Sequence, residues 1–566
     1  MVRDWANGKI SATKVQEYCF GSQSIGGKGL KSFAKMGKSG QNPQHCQRDL
    51  IRAVGKPAGC PDLYWAPMHI KDKDGNRCER MHPFLLPHEF FAALWTEKKD
   101  FFKKHMLGDE GDELNALQEF WEAQSNNSFV QDHPIIGGRP ELLPLTLPLG
   151  IHGDAGEFSH QENVFVISWN SLVGKGATSK TRFLTTCLNK TELLDDGTTL
   201  NEAFEVMAWS FNLLANRQFP ITDHTGARFD DTSSRFQQGL FKEFPPGRAI
   251  VLQLRGDWQF LCQAFGFPQW NAAGNMCWVC AAGDNFPWTD MRPEAAWRDT
   301  VRTHDMYLQD IAEREAAGGN PLSVLFKIVG FTLECICIDV LHTLDQGVTL
   351  HIVGNIIQEL LRAHTYGPNV KDGCSRLWLM YKQWCKDNKV TNQIPSPFKP
   401  TTCRQEGKGK FPKLKCKAAE TRHIVPWALK LAQENNTESR HDKLRLACVQ
   451  SLCDFYNQME TKPRHYSEAD CEEARQTMRM VCSCYAALSR EAHEAGLRLW
   501  RLVPKFHLSI HLAEYTIPMW GNPRFYWTYS DEDLVGQVIE VAQSCHPSTM
   551  TAVALYKHMA HLSILA

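Results

Sequence analysis

The chain has 566 residues and a mass of 64.3 kDa, too long for one simple core, so two to four domains or one domain with a large insertion are expected. The composition is globular, with 43% hydrophobic and 22% charged residues. A formal net charge of −1 excludes a global electrostatic case for a nucleic-acid partner, so any such case must be local. No stretch long enough to span a bilayer lacks charge: the best, "PLSVLFKIVGFTLECICIDVLHTL", is interrupted by Lys327, Glu334 and Asp339 and reads as buried core. "MVRDWANGKI" has no signal-peptide core, and twenty scattered cysteines point to a reducing compartment, cytosol or nucleus.

Residues 1 to about 57 hold ten Lys/Arg against three Asp/Glu and read as a basic, partly loop-like arm, either solvated or in contact with DNA. Helical spacing follows in "PHEFFAALWTEKKDFFKKHML" and "ELNALQEFWEAQ". From residue 143 the period changes. "LPLTLPLGIHGD", "NVFVISWNSL" and "TRFLTTCLNK" predict three consecutive strands, "TLNEAFEVMAWSFNLLANRQF" a helix, and "GRAIVLQLRGDWQFLCQAFGF" a fourth strand ending near Asp257. Beyond residue 283 the strand signal fades, and helices are predicted near 340–363, 421–433, 441–460 and 468–499, with a basic loop at about 403–418 between them.

Three strands, a helix and a strand are the opening order of a ribonuclease-H-like sheet. In that order the first and fourth strands are neighbours, so Asp154 and Asp257, at their ends, would project from one edge. Hard carboxylate oxygens suit Mg²⁺, and two such ions can activate water or a 3′-hydroxyl and stabilise a leaving oxygen. Turn and helix-cap aspartates occupy such places too. A third acid is available late in the chain, where "FYWTYSDEDLVGQVIEVAQSCH" sets Asp531, Glu532 and Asp533 at a helix start, also a favourable end of the helix dipole for acids. "GNMCWVCAAG" places Cys277 and Cys280 as a CxxC, and "PKFHLSIHLAEY" places His507 and His511 one helical turn apart; together they have a Cys₂His₂ composition suited to Zn²⁺.

In the order "HGDAG", "LRGDWQFLCQAFGF", "MCWVC", "DVLHTLDQGV", "PKFHLSIHL", "TYSDEDLVG", the chain resembles cut-and-paste DDE/D transposases of the CACTA (En/Spm-like) and Plavaka-like groups. It is also similar in layout to the Transib-like recombinase of antigen-receptor gene rearrangement. The resemblance runs from about residue 143 to 545. It implies Asp154 and Asp257 as the first two metal-binding acids and Glu532 as the third, with Asp531 as the alternative ligand. It also implies that His342, in "DVLH", lies near the scissile phosphate.

The expectation is therefore an α/β, ribonuclease-H-like core with a large, mainly helical insertion before its last catalytic helix. Its segments would be 1–140 (basic arm and helical region), 141–282 (first part of the core), 283–500 (insertion) and 501–566 (end of the core). The expected function is metal-dependent DNA strand cleavage and transfer with two Mg²⁺ (or Mn²⁺) ions and a structural Zn²⁺ on Cys277, Cys280, His507 and His511. The partners would be transposon-end and target DNA, with no membrane, in a nuclear homo-oligomer. Two alternatives stay open: a catalytically inactive or domesticated DNA- or chromatin-binding protein keeping the fold, and a metallohydrolase centred on the histidines.

Overall fold

The structure, a computed structural model, describes residues 1–54, 60–109, 116–160, 162–272, 274–318, 321–403 and 410–565, with side chains to 562. It is mixed α/β, and the chain divides into two compact units. The first comprises 1–266, 308–336 and 529–566; the second comprises 267–307 and 337–528. The second unit thus begins at Phe267 rather than near 283, and it takes in residues 501–528, which the sequence reading assigns to the end of the core.

Among the described residues, six strands lie in the first unit: β1 (Tyr64–Lys71), β2 (Arg77–Phe84), β3 (Thr146–Ser159), β4 (Glu162–Ser171), β5 (Phe183–Asn189) and β6 (Arg248–Gly256). β1 and β2 form a hairpin that the sequence reading passes over, although "KDKDGN" between two alternating runs is a turn signal. The other four make a sheet of order β5-β4-β3-β6, antiparallel at β5/β4 and β4/β3 and parallel at β3/β6. A single parallel bridge from Leu254 to Ile336 continues this order past β6. The outer strand β5 is covered: Leu184 N–H donates to His558 Nε2 at 3.2 Å and Leu85 N–H to the Thr185 carbonyl at 2.9 Å, which removes an open edge.

Asp154 does not end its strand. β3 runs on to Ser159 because β4 continues to pair with it, from Asp154↔Val166 to Ser159↔Glu162. What ends at this point is the ladder to β6, at Gly153↔Gly256, so Asp154 and Asp257 are the next residues on neighbouring parallel strands just past the last pair. Both aspartates follow a glycine for a steric reason. A Cβ at Gly153 would lie 2.2 Å from Cε2 of Phe260, and one at Gly256 2.2 Å from Cδ1 of the same ring. Phe260 belongs to the helix Trp258–Phe265, which Asp257 caps, and its ring seats that helix against the sheet.

Residues alternate across a strand, so His152, Asp154 and Gly156 share the opposite face. That face receives the helix Tyr529–Gln543, and Gly156 lets it approach: a Cβ there would lie 2.3 Å from Ile539 Cδ1 and 3.2 Å from Val535 Cγ1. The basic start of the chain is folded rather than loop-like. Short helices from Val2 to Val54 enclose Trp5, Val15, Cys19, Met36, Cys46 and Leu50, and apolar residues recur at three- and four-residue steps within two of them, Ala12, Val15 and Cys19 in one and Cys46 and Leu50 in another.

The second unit is helical, with no strand of three or more residues among its described residues. The helices Thr349–Arg362, Ala418–Glu434, Arg440–Thr461 and Glu468–Glu494 fall where the apolar periodicity predicts them, and Val370–Asp387 adds one that the reading leaves out. Two π-helical turns, Leu341–Val348 and Leu512–Thr516, lie within or directly after the "DVLHTLDQGV" and "PKFHLSIHL" motifs; such turns concentrate at functional positions.

The glycine constraint yields a stability prediction. Gly153→Ala should destabilise the chain by about 1–3 kcal/mol, the usual cost of overpacking a full site. Combined with Phe260→Leu it should cost less than the sum of the two single changes, because both act on one space. Urea unfolding of the four proteins measures this, and strict additivity would show that the two positions are independent.

Candidate functional site

Asp154 and Glu532 meet in the first unit. A carboxylate oxygen of each lies within 4.8 Å of the other, although they stand far apart in sequence. Asp154 is nearly buried at 9% exposure, and the Glu532 side chain is 30% exposed. The buried His152 brings Nε2 to 3.9 Å from Glu532 Oε1. Two carboxylates this close repel unless a proton or a cation lies between them, so the pair can hold a divalent ion through oxygen. Asp257 sits beside Asp154 by register, and its carboxylate caps the following helix, accepting the Phe260 N–H at 2.6 Å. Its carboxylate does not join those of Asp154 and Glu532 at one point: no ligand atom of Asp257 lies within 4.8 Å of both.

Asp531 is not part of this pair, which corrects its assignment as an alternative metal ligand. Its side chain is fully buried and turns inward, where Arg182 Nε donates at 2.6 Å and Arg255 Nη2 lies at 3.5 Å. Arg255 also donates to Asn170 on β4. Burial opposes the charge on Asp531, but Arg182, then Arg255 and His152, hold its carboxyl below the ordinary carboxylate range. Burial likewise lowers Arg182, and Asp531 opposes that shift. Consecutive helical residues point about 100° apart. With Asp531 fixed toward the arginines, Glu532 takes the direction of Asp154, while Asp533 is exposed.

A second candidate centre lies wholly within the second unit. Cys277, Cys280, His507 and His511 are buried, and one ligand atom from each falls within 4.8 Å of all the others. Cys280 Sγ is 3.3 Å from His507 Nε2 and 3.4 Å from His511 Nε2, and the two Nε2 atoms are 3.0 Å apart. Each half is built locally. The CxxC turn aims backbone donors at its own sulfurs, Val279 N–H to Cys277 Sγ at 3.3 Å and Ala282 N–H to Cys280 Sγ at 3.4 Å. The helix Pro504–His511 presents both imidazoles on one face. Burial opposes a thiolate at Cys277, yet a hydrogen bond with Cys280 and the two histidines hold it well below the usual thiol range, while Cys280 is raised by that bond and by burial. Trp297 packs edge-on to both rings, and Arg298 and Arg479 both pair with Glu514 on the π-turn after His511. Four soft or borderline donors at one point can hold a metal ion.

His342 also belongs to the second unit. Asp339 Oδ2 accepts both its backbone N–H at 2.8 Å and its ring Nδ1–H at 2.9 Å, and Asp339 Oδ1 accepts the Thr528 N–H at 3.0 Å. Burial opposes ionisation of Asp339, but the bond with His342 leads the contacts that lower it. Lys505 Nζ reaches the His342 carbonyl at 2.6 Å, across Gly347, where a Cβ would lie 2.6 Å from the lysine stem. Asp345 in the same motif is structural, buried between Arg422 at 2.8 Å and the Tyr456 hydroxyl at 2.5 Å.

His152, Arg182 and Arg255 are not among the site residues expected from the sequence. Arg255 has a visible signal, a cation at the end of the apolar run "AIVLQLRGD"; Arg182 has none, because only the fold brings it to Asp531.

Removing the Asp531 charge should therefore be costly. Asp531→Asn leaves two buried guanidinium groups without their counter-charge and should destabilise by about 3–5 kcal/mol. Because the folded carboxyl titrates below its unfolded value, this stabilisation is present above about pH 4 and is lost as pH falls through the lower folded value. The difference in Tm between wild type and Asp531→Asn should thus be full at pH 7 and shrink on acidification below about pH 4. A difference that stays constant through the acid range would mean that the carboxylate is not the source.

No protein-family model matches this chain, and no curated protein matches it.

Proposed function

We propose that the chain is a DDE/D-type DNA transposase of the cut-and-paste group, with a ribonuclease-H-like core, acting in the nucleus on transposon ends and target DNA as a homo-oligomer. The observation that carries this reading is the approach of Glu532, on a late helix, to Asp154, on the first strand of the four-stranded sheet. Two others support it. The order β5-β4-β3-β6 with only β3/β6 parallel is the order expected of that core, and Asp257 stands beside Asp154 in register.

Asp154, Asp257 and Glu532 would hold the Mg²⁺ or Mn²⁺ ions, and the hard oxygen donors fit that requirement. When bound, such ions lower the pKa of a nucleophilic oxygen and stabilise the leaving oxygen of a phosphodiester. Asp531 and its two arginines hold Glu532 in place, and the glycines before the two aspartates hold the strand ends together. Asp339 orients His342 by accepting from Nδ1, and in the doubly protonated ring Nε2–H would be the donor to a phosphate oxygen.

For the cysteine and histidine cluster the reading is a structural Zn²⁺. Zn–S near 2.3 Å and Zn–N near 2.0–2.1 Å imply donor separations of about 3.3–3.8 Å around a tetrahedral ion. The cluster's 3.0, 3.3 and 3.4 Å separations are close to that range. Thiolates with imidazoles in a fully buried place suit a closed site rather than an open hydrolytic one, which disfavours a metallohydrolase centred on the histidines. A non-catalytic DNA-binding role is favoured by one observation, the helix-capping bond of Asp257, which serves stability without any metal.

Nicking of supercoiled plasmid discriminates between these readings. Wild type should nick in Mg²⁺ or Mn²⁺ and not in EDTA. Asp154→Asn and Glu532→Gln should each lose more than the roughly 10–100-fold that follows from losing an outer-shell partner, with duplex binding retained. Binding without metal-dependent nicking in wild type would support the non-catalytic role. Metal analysis tests the second centre: about one zinc per chain, lost in Cys280→Ser and in His511→Ala alike, is expected. Zinc retained in either variant would sink the shared site.

A further inference from the structure

The second unit carries a concentration of positive charge that the proposed chemistry leaves unused. Lys410, Lys413, Lys415 and Lys417 stand in "KFPKLKCK", which contains no acid. This segment lies on the helix Thr349–Arg362: Leu414 N–H donates to the Leu350 carbonyl at 3.0 Å and Lys415 N–H to the Thr402 carbonyl at 2.7 Å. Gly354 admits it, since a Cβ there would lie 2.7 Å from Leu414 N. Leu414 is buried beneath the segment, while Lys410, Lys415 and Lys417 are exposed and Lys413 is half-buried. The apolar residues thus anchor the segment and the lysines form its outer surface.

Arg501 extends this surface, and Lys505 lies near it. Arg501 is exposed, with its guanidinium 5.5 Å over the Phe411 ring, and Lys505 bonds the His342 and Gln346 carbonyls. His351 reports that these cations share one neighbourhood. Burial first, then Lys413, Lys505 and Arg501, push it down to about 3, with the Pro412 carbonyl opposing. Among the described residues no carboxylate pairs with Lys410, Lys413 or Arg501. In a chain of net charge −1 this is local, uncompensated charge, with Lys413 partly desolvated as well.

We propose that Lys410, Lys413 and Arg501 form a phosphate-gripping surface for a nucleic-acid backbone. A lipid surface would require apolar side chains pointing outward to insert, whereas Leu414 and Pro412 are turned inward. Arginine and lysine held without carboxylates are the groups that exchange counterions for phosphates, and such contacts are independent of sequence. The inference rests on DNA as the substrate of the proposed function and adds where the second unit would hold it.

The test is binding of a fluorescein-labelled duplex of arbitrary sequence to the full chain without divalent metal, read by anisotropy across a salt series. For wild type, log K should fall linearly with log salt. In Lys410→Ala/Lys413→Ala/Arg501→Ala the slope should flatten by about 2.7, at roughly 0.9 per lost phosphate contact. The charge-preserving triple Lys410→Arg/Lys413→Arg/Arg501→Lys should keep the wild-type slope. Thermal melts and zinc content, unchanged in both triples, establish that the second unit is folded; if the alanine triple fails to fold, Arg501→Glu alone should flatten the slope by about 1 or more. Absence of duplex binding by wild type, or a slope that does not flatten in a folded variant, would overturn the proposal. Plasmid nicking by wild type with an unflattened slope would remove this surface while leaving the enzyme. A flattened slope with no nicking would leave the surface and remove the enzyme.

Discussion

The candidate catalytic geometry depends on a buried charge that does no chemistry. Asp531 lies between Arg182 and Arg255 in the interior of the first unit, and the charges offset one another there, with Arg255 also bonded to Asn170. Its consequence is directional. A helix whose first turn is fixed by one carboxylate has no freedom to rotate about its axis, so the next residue, Glu532, is committed to the face of β3 that carries Asp154. Loss of the pair would let the helix Tyr529–Gln543 choose its rotation by apolar packing alone, and Leu534, Val535 and Val538 would tolerate several rotations.

Close approach of backbone elements is the second constraint, and glycine supplies it at three places around the acids. Gly153 and Gly256 admit the Phe260 ring on one face of the sheet, and Gly156 admits Ile539 on the other. Each lies next to or two residues from an aspartate at the end of the β3/β6 ladder. The short "HGDAG" and "RGDW" motifs therefore set acids beside close packing: glycine brings the helices close, and the aspartates beside them stand where the strands part.

The second unit uses a different kind of restraint. Cys277, Cys280, His507 and His511 draw together a turn near the start of the unit and a helix near its end. Loops of this length cost entropy to close, and a metal ion on four donors is a strong way to offset that cost. The neighbouring Arg298–Glu514–Arg479 bridge and Trp297 reinforce the same junction with charge and aromatic packing.

Much of this was legible from local pattern. Short β-branched and aromatic runs between turn-rich segments marked β3 to β6, period-3.6 patterning marked the long helices of the second unit, and ligand spacing marked the CxxC and the HxxxH, because each of these signals is set by residues within a few positions of one another. The β1/β2 hairpin carries a turn signal of its own in "KDKDGN", and the basic start folds into small helices, two of which have apolar residues at helical spacing. Only tertiary structure decided between Asp531 and Glu532. Both are acids in the same helical turn with the same propensity, and the choice is made by Arg182 and Arg255, which are hundreds of residues away in sequence. It likewise decided that the sulfurs and imidazoles share one point, and that the ladder beside Asp154 ends while its strand continues. Local sequence determines which groups can be presented on one face; which groups meet is determined by long-range packing, which no spacing in the chain encodes.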